Sequence, residues 1–247
     1  MKKLLYSFIL VWIALPSSAQ NKFEAFVSPS FSYRNLRTLN GTSSDYKDSL
    51  GKMDRGRHNW GGGLKTLLFI DKYTYLQIGV EYKGISFTRV REDLQFHDTV
   101  HPEIGRIWDL SQTVLSKDAF FYHKYRYLSV PVIYQKAFSR KKIHPKMQFY
   151  FASGLNFDFL FTDETRVTLY GWSVGGESMF KIPNDYTSST FNLTLDLGGR
   201  FEYLLNERSS FSVQPAFKYP LLSTAKDDLV EFNIFQVGLQ VGVNYSL

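Results

Sequence analysis

Histidines are the side chains in this sequence best suited to acid–base catalysis or to binding a metal ion. Four of them, His58, His97, His101 and His123, have serines or aspartates nearby in the sequence. His97 and His101 stand four positions apart and would share one face of a helix. The residues around them show no helical periodicity and no evident third ligand, so we expect no metal site there. The sequence also lacks cysteine, which excludes thiolate ligands and disulfide bonds.

Charged side chains form the second candidate set, because they recur at alternate positions in segments that are otherwise apolar. A period of two places these charges on one face of a strand and the apolar residues on the other. Opposite charges on neighbouring strands contribute about 0.2–1 kcal/mol for each pair. We therefore predict a network of mutual ion pairs that fills an interior, in preference to an ion-conducting path. The set comprises Glu24, Lys65, Glu81, Lys83, Asp158, Asp196, Arg200, Glu202 and Lys218.

Eight segments with this alternation must position the charges. The clearest one ends the chain, where Phe235 begins a run of apolar residues at every second position. If the sixth and seventh segments pair across their short link, Asp196 lies opposite Lys218 and Phe201 lies opposite Val213. The segments cover approximately 23–34, 58–70, 73–87, 122–137, 146–161, 191–205, 211–219 and 232–247.

Two of these segments depart from a regular strand. The apolar positions change phase after Gly84, where Ile85 and Phe87 take over, and this predicts a bulge. Pro131 interrupts the fourth segment, and proline inside a strand usually marks an edge or a bulge. The fourth segment is therefore the least regular of the predicted strands.

The links between the segments alternate in length. Long polar links cover approximately 35–56, 89–121, 163–188 and 222–231, and short ones cover 71–72, 138–145 and 206–208. Outer-membrane barrels have this asymmetry, with tight periplasmic turns and long outer loops. Because eight is an even number, both ends of the chain are predicted on the periplasmic side, with the first and last strands paired.

The apolar faces could point into a soluble barrel or outward into lipid. An eight-stranded barrel encloses a space only just wide enough for side chains. The sequence has 22 phenylalanines and 16 tyrosines, and apolar stripes this bulky would overfill such a space. We therefore predict an all-β fold: an eight-stranded antiparallel up-and-down transmembrane β-barrel with a polar, side-chain-filled lumen.

The first nineteen residues predict export. Lys2 and Lys3 precede an apolar stretch from Leu4 to Leu15, and small residues follow up to Ala19. This three-part pattern is typical of a secretory signal peptide. The predicted organisation is a signal peptide at 1–19 and one outer-membrane barrel domain at 20–247. The expected location is the cell outer membrane.

Several short stretches resemble a known family. They are the small residues before Gln20, the Tyr127-Leu128-Ser129-Val130-Pro131-Val132 stretch, the glycine-rich sixth segment and the C-terminal VGVNYSL. With these features the sequence resembles the outer-membrane β-barrel domain family of Bacteroidota-type bacteria, which includes the PorT-like proteins. The resemblance implies an eight-stranded barrel in the outer membrane. Most members have no assigned activity, and PorT itself is tied to type IX protein secretion.

These observations favour a structural or interaction role, within a PorT-like secretion or envelope assembly, for a protein that is not an enzyme. The alternatives are a narrow porin-like channel and a lipid-modifying outer-membrane enzyme that uses a histidine near the outer rim. The expected partners are outer-membrane lipid and lipopolysaccharide, together with a protein bound at the periplasmic turns or outer loops. No cofactor and no nucleic acid are expected.

Two further features concern these partners. The short link at 138–145 and the residue after it carry Arg140, Lys141, Lys142 and Lys146, which form either a solvated turn or a basic contact for an anionic partner. The tripeptides around Ser49 and Thr99 resemble the Asp-Ser/Thr-aliphatic O-glycosylation site of the same bacteria. Both are expected in outer loops.

Overall fold

A computed structural model describes residues 21–39, 51–94, 117–138, 146–170, 178–182, 186–226 and 230–246. These residues form eleven strands in one antiparallel sheet. No helix in the described part of the chain is long and apolar enough to cross a membrane. The strands are β1 (Lys22–Thr38), β2 (Asp54–Asp71), β3 (Thr74–Leu94), β4 (Lys117–Ala137), β5 (Met147–Tyr170), β6 (Ser178–Ile182), β7 (Thr187–Ser188), β8 (Phe191–Leu204), β9 (Ser209–Pro220), β10 (Ala225–Lys226) and β11 (Val230–Ser246).

Eight of these strands close into a ring. The order around the ring is β1, β2, β3, β4, β5, β8, β9 and β11, and β11 pairs back onto β1. Phe23 lies opposite Tyr245 at one end of this seam, and Tyr33 lies opposite Phe235 towards the other. The predicted eight-stranded antiparallel barrel and its closing pair are confirmed.

The two faces of the ring are chemically opposite. Polar and charged side chains on the inner face are buried, whereas large apolar side chains on the outer face are exposed. Trp60 is 70% exposed and Leu64 is 60% exposed. The outward apolar band also includes Val27, Ile70, Tyr82, Leu128, Tyr134, Phe149, Phe151, Phe159, Phe161, Phe217, Val237, Leu239 and Val243.

The strands continue further on the outer side than the sequence pattern predicts. β3 and β4 have 21 residues each and β5 has 24, whereas β8 has 14 and β9 has 12. About 9–11 residues are enough to cross a membrane. The side of the barrel formed by β2 to β5 therefore rises beyond the membrane as a wall. The predicted long link at 163–188 is partly strand, because β6 pairs with the outer end of β5.

The bulge predicted after Gly84 is absent from β3. The register between β3 and β4 is unbroken from Glu81, opposite Ser129, to Arg91, opposite Ala119. Ile85 and Phe87 therefore remain on the inner face and are buried. The change of phase arises because the interior itself becomes apolar above the charged zone. The irregularity lies in the neighbouring strand β2, between Gly56 and Gly61.

Pro131 occupies a central strand, in a stretch that keeps its register, although the pairing of β4 with β5 shifts between Arg126 and Tyr127. β4 lies between β3 and β5, and Pro131 lies opposite Asn156 of β5. On the β3 side, the paired positions skip Val130 and Pro131 and resume in the same register. The missing N–H of proline thus interrupts the ladder locally without shifting it.

A charge placed on the outer face should test the lipid-facing assignment. Val241 lies near the middle of the outward apolar positions of β11, opposite Val27 and Val213. Val241→Arg should lower the free energy of unfolding by about 2–4 kcal/mol at the bilayer midplane. Urea unfolding in phospholipid vesicles measures this change.

Asn233 provides the matched control, because it lies on the same strand beyond the last apolar position. Asn233→Arg should cost only about 0–1 kcal/mol, as charges near the interface do. Equal costs for the two variants would contradict a lipid-facing band on β11.

Candidate functional site: the charged interior of the barrel

The periplasmic half of the lumen is organised around the pair formed by Arg200 and Glu24. Alternation on β8 and β1 turns both side chains inward, and both are buried. Arg200 donates from Nη1 to Glu24 Oε2 at 2.7 Å and from Nη2 to Asn244 Oδ1 at 2.8 Å. Ser212 Oγ donates to Glu24 Oε1 at 2.8 Å. The charged groups of β1 and β8 therefore meet across the barrel.

Two further ion pairs cross the middle of the lumen. Lys218 Nζ donates to both carboxylate oxygens of Glu81 at 2.8 Å and lies 3.9 Å from Asp196 Oδ2. Lys83 Nζ donates to Asp158 Oδ2 at 2.8 Å. Charge-assisted hydrogen bonds of this kind are the strong ones, and both partners of each pair are buried.

Lys65 is held without a direct carboxylate contact. Its Nζ donates to Gln240 Oε1 at 2.6 Å and lies 3.9 Å from the centroid of the Phe26 ring. A Cβ on Gly79 of β3 would clash with the Leu64 carbonyl oxygen and would lie 2.6 Å from Lys65 Cγ, so both the backbone and the side chain of β2 need glycine at this position. A glycine beside a bulky charge thus lets a narrow lumen hold it.

Glu202 pairs with a residue that the sequence prediction missed. Lys22 Nζ donates to Glu202 Oε1 at 2.6 Å, near the periplasmic end of the barrel. Ser210 Oγ donates to the same oxygen. The signal for Lys22 was present, because it lies two positions before Glu24 and shares its face of β1.

The structure buries all nine charged residues predicted for the interior. Their shortest ion pairs join strands that are not neighbours in the sheet. The predicted register of β8 and β9 is confirmed, with Asp196 opposite Lys218 and Phe201 opposite Val213. The shortest contacts of Lys218 nevertheless go to Glu81 on β3. Closure of the barrel, which no local pattern describes, sets these partners.

The outer half of the interior is closed by an apolar cluster. Phe87 contacts the Phe232 ring edge-on with centroids 5.5 Å apart, and the Arg34 guanidinium lies 4.5 Å from the Phe87 centroid. Arg34 Nε donates to Asp54 Oδ2 at 2.5 Å. The buried members of the cluster are Leu36, Ile85, Phe87, Tyr125, Tyr127, Tyr186, Ala225, Val230, Phe232 and Ile234.

Two of the candidate histidines, His58 and His123, line the same groove beside β2, β3 and β4, but no hydrogen bond or ring contact joins them. His123 is buried inside the barrel, stacked on Phe87 at 4.6 Å, with Nδ1 3.0 Å from Thr165 Oγ1. His58 is exposed on β2, where it meets the ring of Phe31 edge-on at 4.7 Å. Among the described residues, no group of three or more His, Asp or Glu could hold a metal ion.

Several predicted sites lie outside the described residues. These are His97, His101, the signal peptide at 1–19, the candidate glycosylation residues Ser49 and Thr99, and the basic residues Arg140, Lys141 and Lys142. Lys146, the last of the basic set, is exposed at the start of β5, and its carbonyl accepts a hydrogen bond from Leu204 N at 2.8 Å.

A charged interior within an apolar exterior is the inverse of a water-soluble barrel. The void beside Glu81, Lys83 and Lys218 has a volume of about 10 Å³, close to the space of one water molecule. An outward band of this kind is stable only in lipid. The chain is an integral β-barrel of the outer membrane.

Solved structures of outer-membrane barrels are similar to this chain. Neisserial surface protein A shares 11% identity over 93% of this chain and 98% of that chain, with a TM-score of 0.42. The outer membrane protease OmpT from Escherichia coli shares 8% identity over 95% and 99%, with a TM-score of 0.44. The N-terminal barrel domain of Pseudomonas aeruginosa OprF shares 12% identity over 91% and 98%, with a TM-score of 0.31.

These likenesses carry no argument about function, because the sequence identities and TM-scores are low. No protein-family model and no curated protein sequence matches the chain. The membrane assignment follows from the barrel's own two faces.

Breaking one lumen pair should destabilise the barrel. Arg200→Ala leaves the Glu24 carboxylate buried without its cation, and the expected loss is about 3–5 kcal/mol in the free energy of unfolding. Reversible urea unfolding in detergent micelles measures it.

Arg208→Ala, in an exposed turn, is the control and should stay within about 0.5 kcal/mol of the wild type. The double variant Glu24→Leu/Arg200→Met should recover much of the lost stability, because it removes both charges and keeps the volume filled. An Arg200→Ala variant as stable as Arg208→Ala would show that the pair is not a structural part of the lumen.

Proposed function

We propose that this barrel is a closed membrane scaffold with a structural or interaction role, as part of a PorT-like secretion or envelope assembly. The observation that carries the proposal is the filling of the lumen, by ion pairs in the periplasmic half and by the apolar cluster in the outer half. A barrel without a path through it acts through its surfaces. Those surfaces are the lipid-facing band, the periplasmic turns and the outer wall of β2 to β5.

The filled lumen distinguishes this barrel from a narrow porin. An ion crossing the lumen would have to part Lys218 from Glu81 and Lys83 from Asp158, both at 2.8 Å, and then pass the Phe87–Phe232 contact. Buried charges separated from their partners are costly in a medium of low dielectric constant. The contacts inside the barrel therefore favour a closed lumen over an ion-conducting one.

Planar bilayers offer a direct test of the plug. The wild-type barrel should insert and give no stable conductance steps, because its lumen is blocked at two levels. The comparison variant is Phe87→Ala/Phe232→Ala, which removes the aromatic contact of the outer half while leaving the ion pairs. Stable open steps with the wild type would overturn the closed-scaffold proposal.

The same contacts argue against an enzyme that uses the outer-rim histidines. His123 lines the groove but is only 2% exposed, stacked on Phe87 and beside Thr165, and a general base must lie within hydrogen-bond reach of its substrate. His58 lies on β2 against the Phe31 ring and lines the same groove as His123, but no hydrogen bond or ring contact joins the two imidazoles. We infer a role without catalysis for the described part of the chain.

A protein partner on the periplasmic side is the interaction we favour. β1 begins and β11 ends at that end, beside the turns at 72–73 and 205–208, and Ser246 N donates to Arg208 O there at 2.7 Å. The turn after β4 carries Arg140, Lys141 and Lys142, with Lys146 beside it. Several cations close together in the sequence attract an anionic surface over about one Debye length, roughly 10 Å at 0.1 M salt.

Charge reversal in that turn should weaken the interaction. The variant Arg140→Glu/Lys141→Glu/Lys142→Glu should reduce the recovery of a periplasmic partner after chemical cross-linking in intact membranes and affinity purification. Lys72→Glu/Arg208→Glu places negative charges in the other two turns at the same end and is the matched control. Equal recovery from both variants and the wild type would exclude the basic turn as the contact.

A further inference from the structure

A groove opens on the outside of the wall formed by β2 to β5, at the level where the apolar band ends, and the buried residues Asn59 and His123 also line it. Its volume is about 580 Å³. Trp60, Tyr82 and Leu128 are the last exposed apolar side chains on β2, β3 and β4 before the groove begins. Aromatic side chains at this level are typical of the membrane interface. The groove therefore opens at the height of lipid head groups on the outer side.

The groove is concave because β3 contributes almost no side-chain bulk at its centre. Gly84 and Ser86 form its floor, between larger side chains of β2 on one side and of β4 on the other. A Cβ on Gly84 would have room, with its nearest neighbours at 3.5 Å and 3.9 Å. The groove is therefore concave because Gly84 has no side chain, and the backbone around it would allow a larger residue.

The irregularity in β2 sends an arginine over this floor. Between Gly56 and Gly61 the register with β3 shifts, which re-aims the side chains there. The Arg57 guanidinium lies 4.5 Å from the centroid of the Tyr122 ring, which belongs to β4. Arg57 therefore reaches across β3 and joins the two walls of the groove.

The lining of the groove is strongly cationic. Arg57, Lys124, Arg126 and Arg166 all line it, and one carboxylate, Glu164, lies among them. Glu164 accepts a hydrogen bond from Arg166 Nε at 2.6 Å. Four cations and one anion leave an excess of positive charge facing outward at the lipid level.

Other arginines on the outer rim have carboxylate partners. Arg37 is 81% exposed at its side chain and lies 3.4 Å from Glu231, and Arg55 lies 3.9 Å from Glu92. Each of these two arginines has its own carboxylate, whereas the four cations of the groove share one.

We propose that this groove binds the phosphate group of an acidic lipid of the outer leaflet, with the acyl chains lying along the apolar band beneath it. Guanidinium groups bind phosphate oxygens with paired N–H donors, and a cationic pocket at the head-group level selects anionic lipids. The continuity of the groove with the exposed Trp60, Tyr82 and Leu128 favours a lipid over an acidic protein. The proposal requires a membrane-inserted barrel and is independent of whether its lumen conducts.

Native mass spectrometry provides the test, on the full barrel released from phosphatidylcholine nanodiscs that contain monophosphoryl lipid A. The wild type should retain one lipid A molecule, and a dephosphorylated lipid A should not be retained. Arg57→Gln/Lys124→Gln/Arg126→Gln should lower retention about tenfold or more, since loss of even one charged hydrogen bond is worth about a factor of ten. Gly84→Leu, which fills the floor and keeps every charge, should also lower retention.

Arg37→Gln removes a rim cation outside the groove and should retain lipid as the wild type does. Heat-dependent migration in detergent gels verifies that each variant is folded. Retention by the triple variant equal to that of the wild type would overturn the proposal, as would equal retention of the dephosphorylated lipid. Displacement of the lipid by inorganic phosphate or by an acidic peptide at equal concentration would also overturn it, because the site would then recognise charge alone.

Discussion

The hydrocarbon core of a membrane offers no hydrogen-bonding partners, and the rest of this structure depends on that constraint. Each backbone N–H and C=O in the membrane must be satisfied within the protein, so the sheet must close. The pairing of β11 with β1 provides this closure, with Val27 opposite Val241 near its middle. Closure also fixes the interior as a narrow space in which every second residue of eight strands must fit.

The narrow interior explains why the charges are paired as they are. Buried charges are tolerated when their partners and hydrogen bonds are in place. Arg200 therefore reaches Glu24 across the barrel, and Lys218 reaches Glu81, at distances of 2.7 Å and 2.8 Å. Above the charged zone the same strands carry Ile85 and Phe87 inward, so the outer half is filled by packed apolar side chains with the Arg34–Asp54 ion pair beside them. The filling of the lumen thus changes along the barrel, from buried ion pairs in the periplasmic half to packed apolar side chains in the outer half.

The unequal strand lengths connect the fold to its surfaces. β3, β4 and β5 exceed the length needed to cross the bilayer, whereas β8 and β9 scarcely do. The wall that rises from the longer strands has an inner face, packed by Tyr186 and Phe232, and an outer face that carries the cationic groove. The sequence pattern underestimated this wall, because in it the apolar residues change to the inner face and polar residues occupy the outer one, which breaks the alternation that marks the lower strands.

Alternation with a period of two was enough to determine the number of strands in the ring, the faces of their side chains and the inward position of all nine charged residues. It could do so because side chains alternate faces along any strand, whatever lies around it. The tertiary structure decided the partners: Glu81 for Lys218 in place of Asp196, Lys22 for Glu202, and Tyr122 for Arg57 across the floor of a groove. These contacts join strands that are distant in the sequence, and only closure of the ring and the irregularity in β2 bring them within reach.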